Sequence, residues 1–210
     1  MKKLLTIAIA TLGVSMGAHA GFLIEPGVGV QGVTGTTSFS YKSGAATTYN
    51  YTEASTAVNL LLAYKAMNGL FFGGRADYYM NGTFTPTTAT GGGTDTFTRT
   101  VAAAVIGYQG ARGIRAWAGY DVSNSITNTI ASNSTAGAND FTALSGTGYQ
   151  VGLGWEFHPH FAFNVLYDVP TYTAITPKAG GTGTFTSSTY NTFTDGYMQV
   201  NLSFPFGDGK

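Results

Sequence analysis

Cysteine is absent from this chain of 210 residues, and charged residues and long apolar runs are scarce. Without cysteine the protein forms no disulfide and takes no lipid through a cysteine. Only 10% of the residues are charged and the formal net charge is zero, so the chain lacks the basic surface that nucleic-acid binding requires. Beyond the first twenty residues, no segment supplies the roughly 18 consecutive apolar residues that indicate a membrane-spanning helix.

The start of the chain has the pattern of an export signal. Two lysines give a positive start, an apolar run follows from Leu4 to Val14, and Ala18-His19-Ala20 is a small-x-small cleavage site. This pattern is typical of a secretory signal peptide, and the apolar run is shorter than the ~20 residues of a spanning helix. We therefore predict a signal peptide over residues 1–20 and one mature domain over residues 21–210.

The stretch from Tyr149 to Val169 shows strand periodicity most clearly. Its two arms alternate large apolar residues with small or polar ones at a period of two, on either side of a turn at His158-Pro159-His160. Aromatic residues mark both ends of the apolar face. The first arm spans roughly 20 Å along the membrane normal at ~40° tilt, close to the ~25 Å apolar band of an outer-membrane barrel. The hairpin therefore indicates two strands of a transmembrane β-barrel.

The same alternation predicts eight strands, with apolar residues facing outward and small or polar residues facing inward. Their approximate spans are 22–33, 55–66, 70–80, 96–108, 112–122, 149–157, 161–169 and 194–206. The connections alternate in length. Those at 67–69, 109–111 and 158–160 are short, and those at 34–54, 81–95, 123–146 and 170–193 are long. Short periplasmic turns and long extracellular loops are typical of bacterial barrels.

On these features the chain resembles the small eight-stranded outer-membrane proteins, the group that includes the transmembrane domain of OmpA, OmpX and OmpW. The resemblance rests on the leader, the architecture and the aromatic residues Phe204 and Phe206 near the C-terminus. It implies an all-β, eight-stranded antiparallel up-and-down barrel in the outer membrane of a Gram-negative bacterium. Its expected partners are outer-membrane lipid and lipopolysaccharide, and the barrel-assembly machinery acting on its last strand.

We expect a monomer with a structural or narrow-pore role. The alternative is a surface adhesin that acts through its extracellular loops. Residues 36–51 and 182–194 alternate threonine or serine with aromatic residues, which predicts strands that continue above the membrane and offer a surface to an extracellular partner.

The inward positions hold most of the charged residues of the predicted strands. We predict that they form an ion-pair cluster, because an unpaired charge in that confined space would be costly. Its members are Glu25, Arg75, Asp77, Arg115, Asp121 and Glu156, with Glu25, Arg75, Arg115 and Glu156 at similar depth. Three roles stay open for the interior: a packed polar core, a gate that passes ions as OmpA-like interiors are thought to do, or a small-ligand cavity lined by Tyr79, Trp117 and Asp121.

Histidine is scarce as well. Beyond the leader the chain has only His158 and His160, both in a predicted periplasmic turn. Barrels resembling lipid A acyltransferases and deacylases use a histidine at the outer rim, so we predict no enzymatic activity. Two histidines around a proline make a weak metal site, and we predict neither metal nor cofactor. The G-x-G-x-x-G match at 27–32 precedes no predicted helix and does not indicate dinucleotide binding.

Overall fold

The computed structural model describes residues 21–41, 46–86, 95–129, 141–177 and 190–207. The predicted leader lies outside these ranges. Within them, no helix has the length and apolar character needed to cross a membrane.

The described residues form nine antiparallel β-strands in one closed sheet. β1 to β7 each pair with the next strand along the chain. β8 and β9 both pair with β7 on one side and with β1 on the other, so together they form the eighth strand of the barrel. The strands are β1 (Gly21–Tyr41), β2 (Ala46–Lys65), β3 (Leu70–Pro86), β4 (Asp95–Gln109), β5 (Ile114–Thr129), β6 (Phe141–His158), β7 (Phe161–Pro177), β8 (Tyr190–Thr194) and β9 (Tyr197–Ser203). The predicted eight-stranded up-and-down barrel is confirmed.

Most strands extend further than the sequence pattern predicted. β1 and β2 pair from Gly21 and Lys65 up to Ser40 and Ala46, so the predicted continuation above the membrane is confirmed for 36–41 and 46–51. Of the segment 182–194, for which the same continuation is predicted, the structure describes only the residues from Tyr190 onward, where β8 begins.

The eighth strand differs from its prediction because it is interrupted. Asp195 and Gly196 separate β8 from β9, and the Gly196 amide donates to Asp195 Oδ1 at 2.7 Å. Such a local hydrogen bond competes with the strand ladder. At the other end, Pro205 has no amide proton to donate, and Phe206 is joined to Ile24 by an isolated bridge.

Large apolar side chains face outward along the middle of the barrel. Leu153 is 65% exposed and Ile106 is 56% exposed. Large apolar residues on the other strands are also exposed. We call this outward surface the lipid belt. A soluble protein does not leave so large an apolar surface in water, so the belt faces lipid and the barrel spans a membrane.

Aromatic side chains border the lipid belt on both sides. The upper ring contains Tyr78, Tyr120, Tyr149 and Tyr167, and the ring centroids of Tyr120 and Tyr149 lie 5.3 Å apart. The lower ring, near the short turns, contains Phe22, Tyr108, Trp155, Phe157, Phe161 and Phe206. Aromatic residues prefer the two membrane interfaces, so these rings mark the boundaries of the spanning region.

The first two short turns rely on glycine at a positive φ. Gly69 has φ 88° and Gly113 has φ 77°, values that residues with a side chain rarely adopt. Each closes a tight turn, with the Gly69 amide donating to Ala66 O at 2.9 Å and the Gly113 amide to Gly110 O at 3.0 Å. The second turn therefore lies slightly later than the predicted 109–111.

Bulges occur where the strands pass the upper ring. The pairing register shifts between Tyr79 and Gly82 on β3 and between Asp121 and Asn124 on β5. A bulge re-aims the side chains that follow it. As a result Asp121 and Asn124 both face the interior and are fully buried, although their spacing places them on opposite faces of a regular strand.

The lower interior contains an apolar layer, formed by inward residues that the sequence pattern did not group together. It includes Leu61, Phe71, Val105, Trp117 and Leu166. Inward glycines make room for its large rings: a Cβ added at Gly152 would lie 2.1 Å from the Trp117 ring, and one at Gly107 2.3 Å from Phe71. Large and small residues thus interlock across the lumen and fill it.

Candidate functional site

Three buried arginines lie inside the barrel and organise its polar contacts. Arg115 is 3% exposed, Arg75 5% and Arg99 is fully buried. Each contacts a carboxylate, because a guanidinium without a counter-charge would be costly in this confined space. We call these groupings the lower, middle and upper arginine layers, in order from the short turns.

The lower layer is built on a bidentate ion pair between Arg115 of β5 and Glu25 of β1. Arg115 Nη1 donates to Glu25 Oε2 at 2.5 Å, and Nη2 donates to Oε1. Ser203 Oγ also donates to Glu25 Oε1, and Arg115 Nε donates to Asn164 Oδ1 at 3.0 Å. The pair therefore links β1, β5, β7 and β9 across the lumen.

The middle layer pairs two residues of the same strand. Arg75 Nε donates to Asp77 Oδ2 at 2.9 Å and Nη2 donates to Oδ1 at 2.6 Å. Residues two apart on a strand share a face, so this pair forms locally on β3. Gln199 Oε1 accepts from Tyr79 Oη at 3.1 Å and from Arg75 Nη2 at 3.3 Å, which joins β3 to β9.

The upper layer surrounds Arg99 of β4. Its Nη2 donates to Asp168, its Nε to Asn124 Oδ1 at 2.9 Å and its Nη1 to Gln31 Oε1 at 3.2 Å. The guanidinium carbon also lies 4.0 Å from the ring centroid of Tyr197 and 5.0 Å from that of Tyr79. Aromatic faces attract cations, so this enclosure adds to the ion pair.

Asp121 is held by amides. Its Oδ1 accepts from Gln150 Nε2 at 2.8 Å and its Oδ2 accepts from Asn124 Nδ2 at 3.0 Å. Asn124 also bonds Arg99, so Asp121 joins the upper layer indirectly.

Glu156 lies apart from the arginines, at the opening of the barrel among the short turns. Its carboxylate accepts from Gln109 Nε2 at 2.8 Å, and it forms no salt bridge within the described residues. The opening has a volume of about 830 Å³ and is lined by the short turns. Of the six residues predicted as one cluster, the structure thus brings together Glu25 with Arg115 and Arg75 with Asp77, and separates Glu156 from both pairs.

The space left between the lower and middle layers is small. A cavity of about 10 Å³ lies among Glu25, Leu61, Phe71, Arg75, Arg115 and Trp117. That is room for about one water molecule. The described side chains that line this cavity are all at most 8% exposed, so they leave no passage for a hydrated ion between them.

The residues predicted to line a ligand cavity do not meet in one place. Tyr79 lies over Arg99 and Asp121 bonds Gln150, whereas Trp117 packs in the apolar layer. Trp117 and Asp121 are separated by four steps along β5, or about 13 Å at 3.3 Å per residue. They form parts of two different layers.

The two histidines lie beside phenylalanine rings at the third short turn. The His158 ring lies 5.5 Å from that of Phe161, and the His160 ring lies 6.1 Å from that of Phe206. Across the part of the chain that the structure describes, no three His, Cys, Asp or Glu side chains are grouped to hold a metal ion.

Several polar partners of the arginines were not singled out as site residues from the sequence, among them Asn164, Ser203, Gln199, Asn124 and Gln31. Their inward parity is visible in the alternation for all except Asn124, which a bulge turns inward. The sequence does not show which of them meet, because the strand register determines the contacts.

Comparisons with known proteins concern the fold of the chain. No protein-family model and no curated protein matches it. The chain is similar to the solved structure of Neisserial surface protein A, at 11% identity and a TM-score of 0.45, covering 90% of this chain and 100% of that one. It is also similar to the outer membrane protein OprG from Pseudomonas aeruginosa, at 15% identity and a TM-score of 0.48, covering 91% and 98%.

A third similar structure is Ail, the attachment invasion locus protein of Yersinia pestis, in complex with the heparin analogue sucrose octasulfate. Its identity is 13% and its TM-score 0.47, covering 90% of this chain and 100% of that one. At such identities a likeness bears on fold alone. The function has to follow from this chain's own residues.

Glu53 is a buried carboxyl beyond the upper ring, at the end of the barrel opposite the short turns. It lies within β2, opposite Phe84 of β3, and precedes Val58, which pairs with Tyr78 of the upper ring. Its Oε1 accepts from Gln31 Nε2 at 2.9 Å. Burial raises the pKa of Glu53 from 4.5 to about 8, and the charge of Asp195 acts in the same direction, while Arg99 and Gln31 act against them. The folded barrel therefore keeps this carboxyl protonated at neutral pH.

Stability is expected to fall as the pH rises from about 4.5 to about 8, because the unfolded carboxyl ionises in that range and the folded one does not. Glu53→Gln removes this contribution. The variant should match the wild type near pH 4.5 and exceed it near pH 8, with a free energy of unfolding higher by on the order of a few kcal/mol. Urea unfolding from vesicles at both pH values measures this difference. If the free energies of unfolding of Glu53→Gln and the wild type differ by the same amount at both pH values, Glu53 ionises normally in the barrel.

Proposed function

We propose that the protein is an integral outer-membrane barrel with a closed interior and a structural role. The observation that carries this proposal is the packed lumen: three arginine layers and an apolar layer fill it, their side chains are almost fully buried, and the cavity between the lower and middle layers holds about 10 Å³. An eight-stranded barrel has just enough room for its side chains, and a wide diffusion pore needs about 16 strands.

The outer-membrane location is supported by three features of the chain. The lipid belt and its two aromatic rings fit a bilayer. The sequence begins with an export signal pattern, and the turns at the lower ring are short while the strands at the upper ring extend beyond the belt. Assembly through the last strand by the barrel-assembly machinery, and a monomeric state in lipid and lipopolysaccharide, belong to the same proposal.

A narrow cation pore is the second candidate. The upper interior holds the buried carboxyl groups of Asp121, Asp168 and Asp195, besides the protonated Glu53, against Arg99 alone among the described side chains there. Asp168 Oδ1 and Gln150 Oε1 are buried acceptors without a partner in the described protein. Acidic linings favour cations, so a lumen that opened would select for them. Opening requires Arg115 to leave Glu25.

The remaining candidates have less support. The loops that an adhesin would use lie largely outside the described residues, and no described contact favours that role. We propose no catalytic activity, since the buried arginines of the described interior are engaged in ion pairs, and Glu53 and Asp121 in amide contacts.

Conductance in planar bilayers tests the closed barrel. We expect refolded wild-type protein to give no discrete channels, and Glu156→Gln to behave the same way because its carboxylate lies outside the ion pairs. Discrete channels of the wild-type protein that favour cations would contradict the closed barrel and support the narrow pore. A current that appears only in Glu25→Gln would show that the lower layer is the barrier.

A further inference from the structure

Besides the lipid belt, the outside of the barrel has a distinct surface directly above the upper ring. There the outward side chains of β4, β5 and β6 change from apolar to hydroxyl-bearing. The residues are Thr98, Thr100, Ser125, Thr127, Ser145 and Thr147, which we call the hydroxyl patch. Thr100, Thr127, Ser145 and Thr147 are exposed, and Thr98 and Ser125 are half-buried.

Strand pairing makes the patch continuous. Thr98 pairs with Thr127, and Thr100 with Ser125. Ser125 in turn pairs with Ser145 of β6. Directly opposed residues lie about 5 Å apart, so these side chains form adjacent rows on one face of the sheet.

The hydroxyls of the patch have no hydrogen-bond partner within the described protein. Nearby strands differ in this respect. Thr56 Oγ1 of β2 donates to Met80 O at 3.1 Å, and Thr83 Oγ1 of β3 donates to Ala54 O at 3.5 Å. The hydroxyls of Thr56 and Thr83 thus bond back to the sheet, whereas those of the patch face the surroundings of the barrel.

The patch is also uncharged. Among the described side chains of β4 to β7 above the upper ring, every outward one is neutral, and Arg99, Asp121 and Asp168 all face inward. Phosphate and sulfate groups are held by arginine or lysine, so the patch has nothing with which to hold them. Neutral hydroxyl groups are complementary to other neutral hydrogen-bonding groups.

The position of the patch decides its occupant. It continues the lipid belt without a break, beginning next to Tyr120 and Tyr149 of the upper ring. At about 3.3 Å per residue and ~40° tilt, it rises roughly 15 Å above that ring. The layer at this height beside an outer-membrane barrel consists of the sugars of the surrounding glycolipid.

We propose that the hydroxyl patch binds the uncharged sugars of the lipopolysaccharide core oligosaccharide. The inference rests on the proposed outer-membrane location. Sugar hydroxyls donate and accept as the serine and threonine hydroxyls do, and each matched pair adds an ordinary hydrogen bond. The patch would fix one face of the barrel against the sugar layer, while the lipid belt below contacts the acyl chains.

The test compares two glycolipids and two variants. Wild-type barrel in detergent is titrated with lipopolysaccharide carrying its core oligosaccharide and with lipid A alone, and native mass spectrometry counts the bound molecules. The patch variant carries Thr100→Val, Ser125→Ala, Thr127→Val, Ser145→Ala and Thr147→Val. The control carries Thr56→Val and Thr83→Val, whose hydroxyls already bond to the sheet. Insertion of every protein into vesicles is checked first.

We expect the wild type and the control to bind the core-bearing glycolipid about tenfold more tightly than lipid A, as a few hydrogen bonds would give. The patch variant should bind the two alike. Equal binding of both glycolipids by the wild type, or an unchanged preference in the patch variant, would overturn the inference. A barrel that does not insert into vesicles would instead contradict the proposed location.

Discussion

Arg115→Ala is expected to lower the free energy of unfolding by about 3–5 kcal/mol, the usual result of removing one partner from a buried ion pair. The substitution leaves the Glu25 carboxylate in the lumen at 3% exposure without its guanidinium. It also removes the donor that Arg115 Nε provides to Asn164. Unfolding by urea in lipid vesicles, followed by tryptophan fluorescence, measures the change.

Arg112→Ala is the matched control. Arg112 lies exposed in the second short turn, three positions from Arg115, and removal of an exposed side chain changes stability by no more than about 0.5 kcal/mol. Arg75→Ala should resemble Arg115→Ala, because it leaves Asp77 unpaired. If all three alanine variants unfold at the same urea concentration, the arginine layers do not stabilise the barrel.

Leu153→Arg is expected to lower the free energy of unfolding from vesicles by about 2–4 kcal/mol, the cost of arginine on the lipid face near the bilayer midplane. Leu153 is 65% exposed on β6, between Tyr149 of the upper ring and Trp155 of the lower ring. Its arginine side chain would be surrounded by hydrocarbon and too far from either interface to reach water easily.

Thr173→Arg controls for the effect of an added charge. Thr173 is exposed on β7 beyond the upper ring, so its arginine meets water or headgroups and should cost less than about 1 kcal/mol. If Leu153→Arg also lowers the free energy of unfolding by less than about 1 kcal/mol, the lipid belt does not face lipid.

The strands and their two faces could be predicted because a period of two is written directly in the sequence. On β5, Ile114, Ala116, Ala118 and Tyr120 face outward as predicted, and Arg115 faces inward. The pattern is reliable where lipid and a packed lumen impose different chemistry on alternate residues. It ends where both faces become polar, and for that reason the upper strand ends were predicted too short.

The contacts inside the lumen could be predicted only in part. Opposite charges at inward positions indicated ion pairs, but register decides which charges meet. Arg75 pairs with its own strand neighbour Asp77, and Glu156 contacts Gln109 at the opening. The bulge that turns Asn124 inward, and the packing of Trp117 over Gly152, depend on three-dimensional geometry that alternation does not encode.

The closed lumen is tested most directly by the reactivity of a single thiol placed inside it. The chain has no cysteine, so Val105→Cys introduces one thiol in the apolar layer, and Met67→Cys introduces one in the first short turn, where Met67 is 74% exposed. Both are treated, in vesicles open to reagent on both sides, with a water-soluble thiol reagent. A packed interior predicts that Val105→Cys reacts at least about 100-fold more slowly than Met67→Cys, and equally fast after unfolding. Similar rates for the two thiols in the folded barrel would show a water-filled channel and contradict the closed interior.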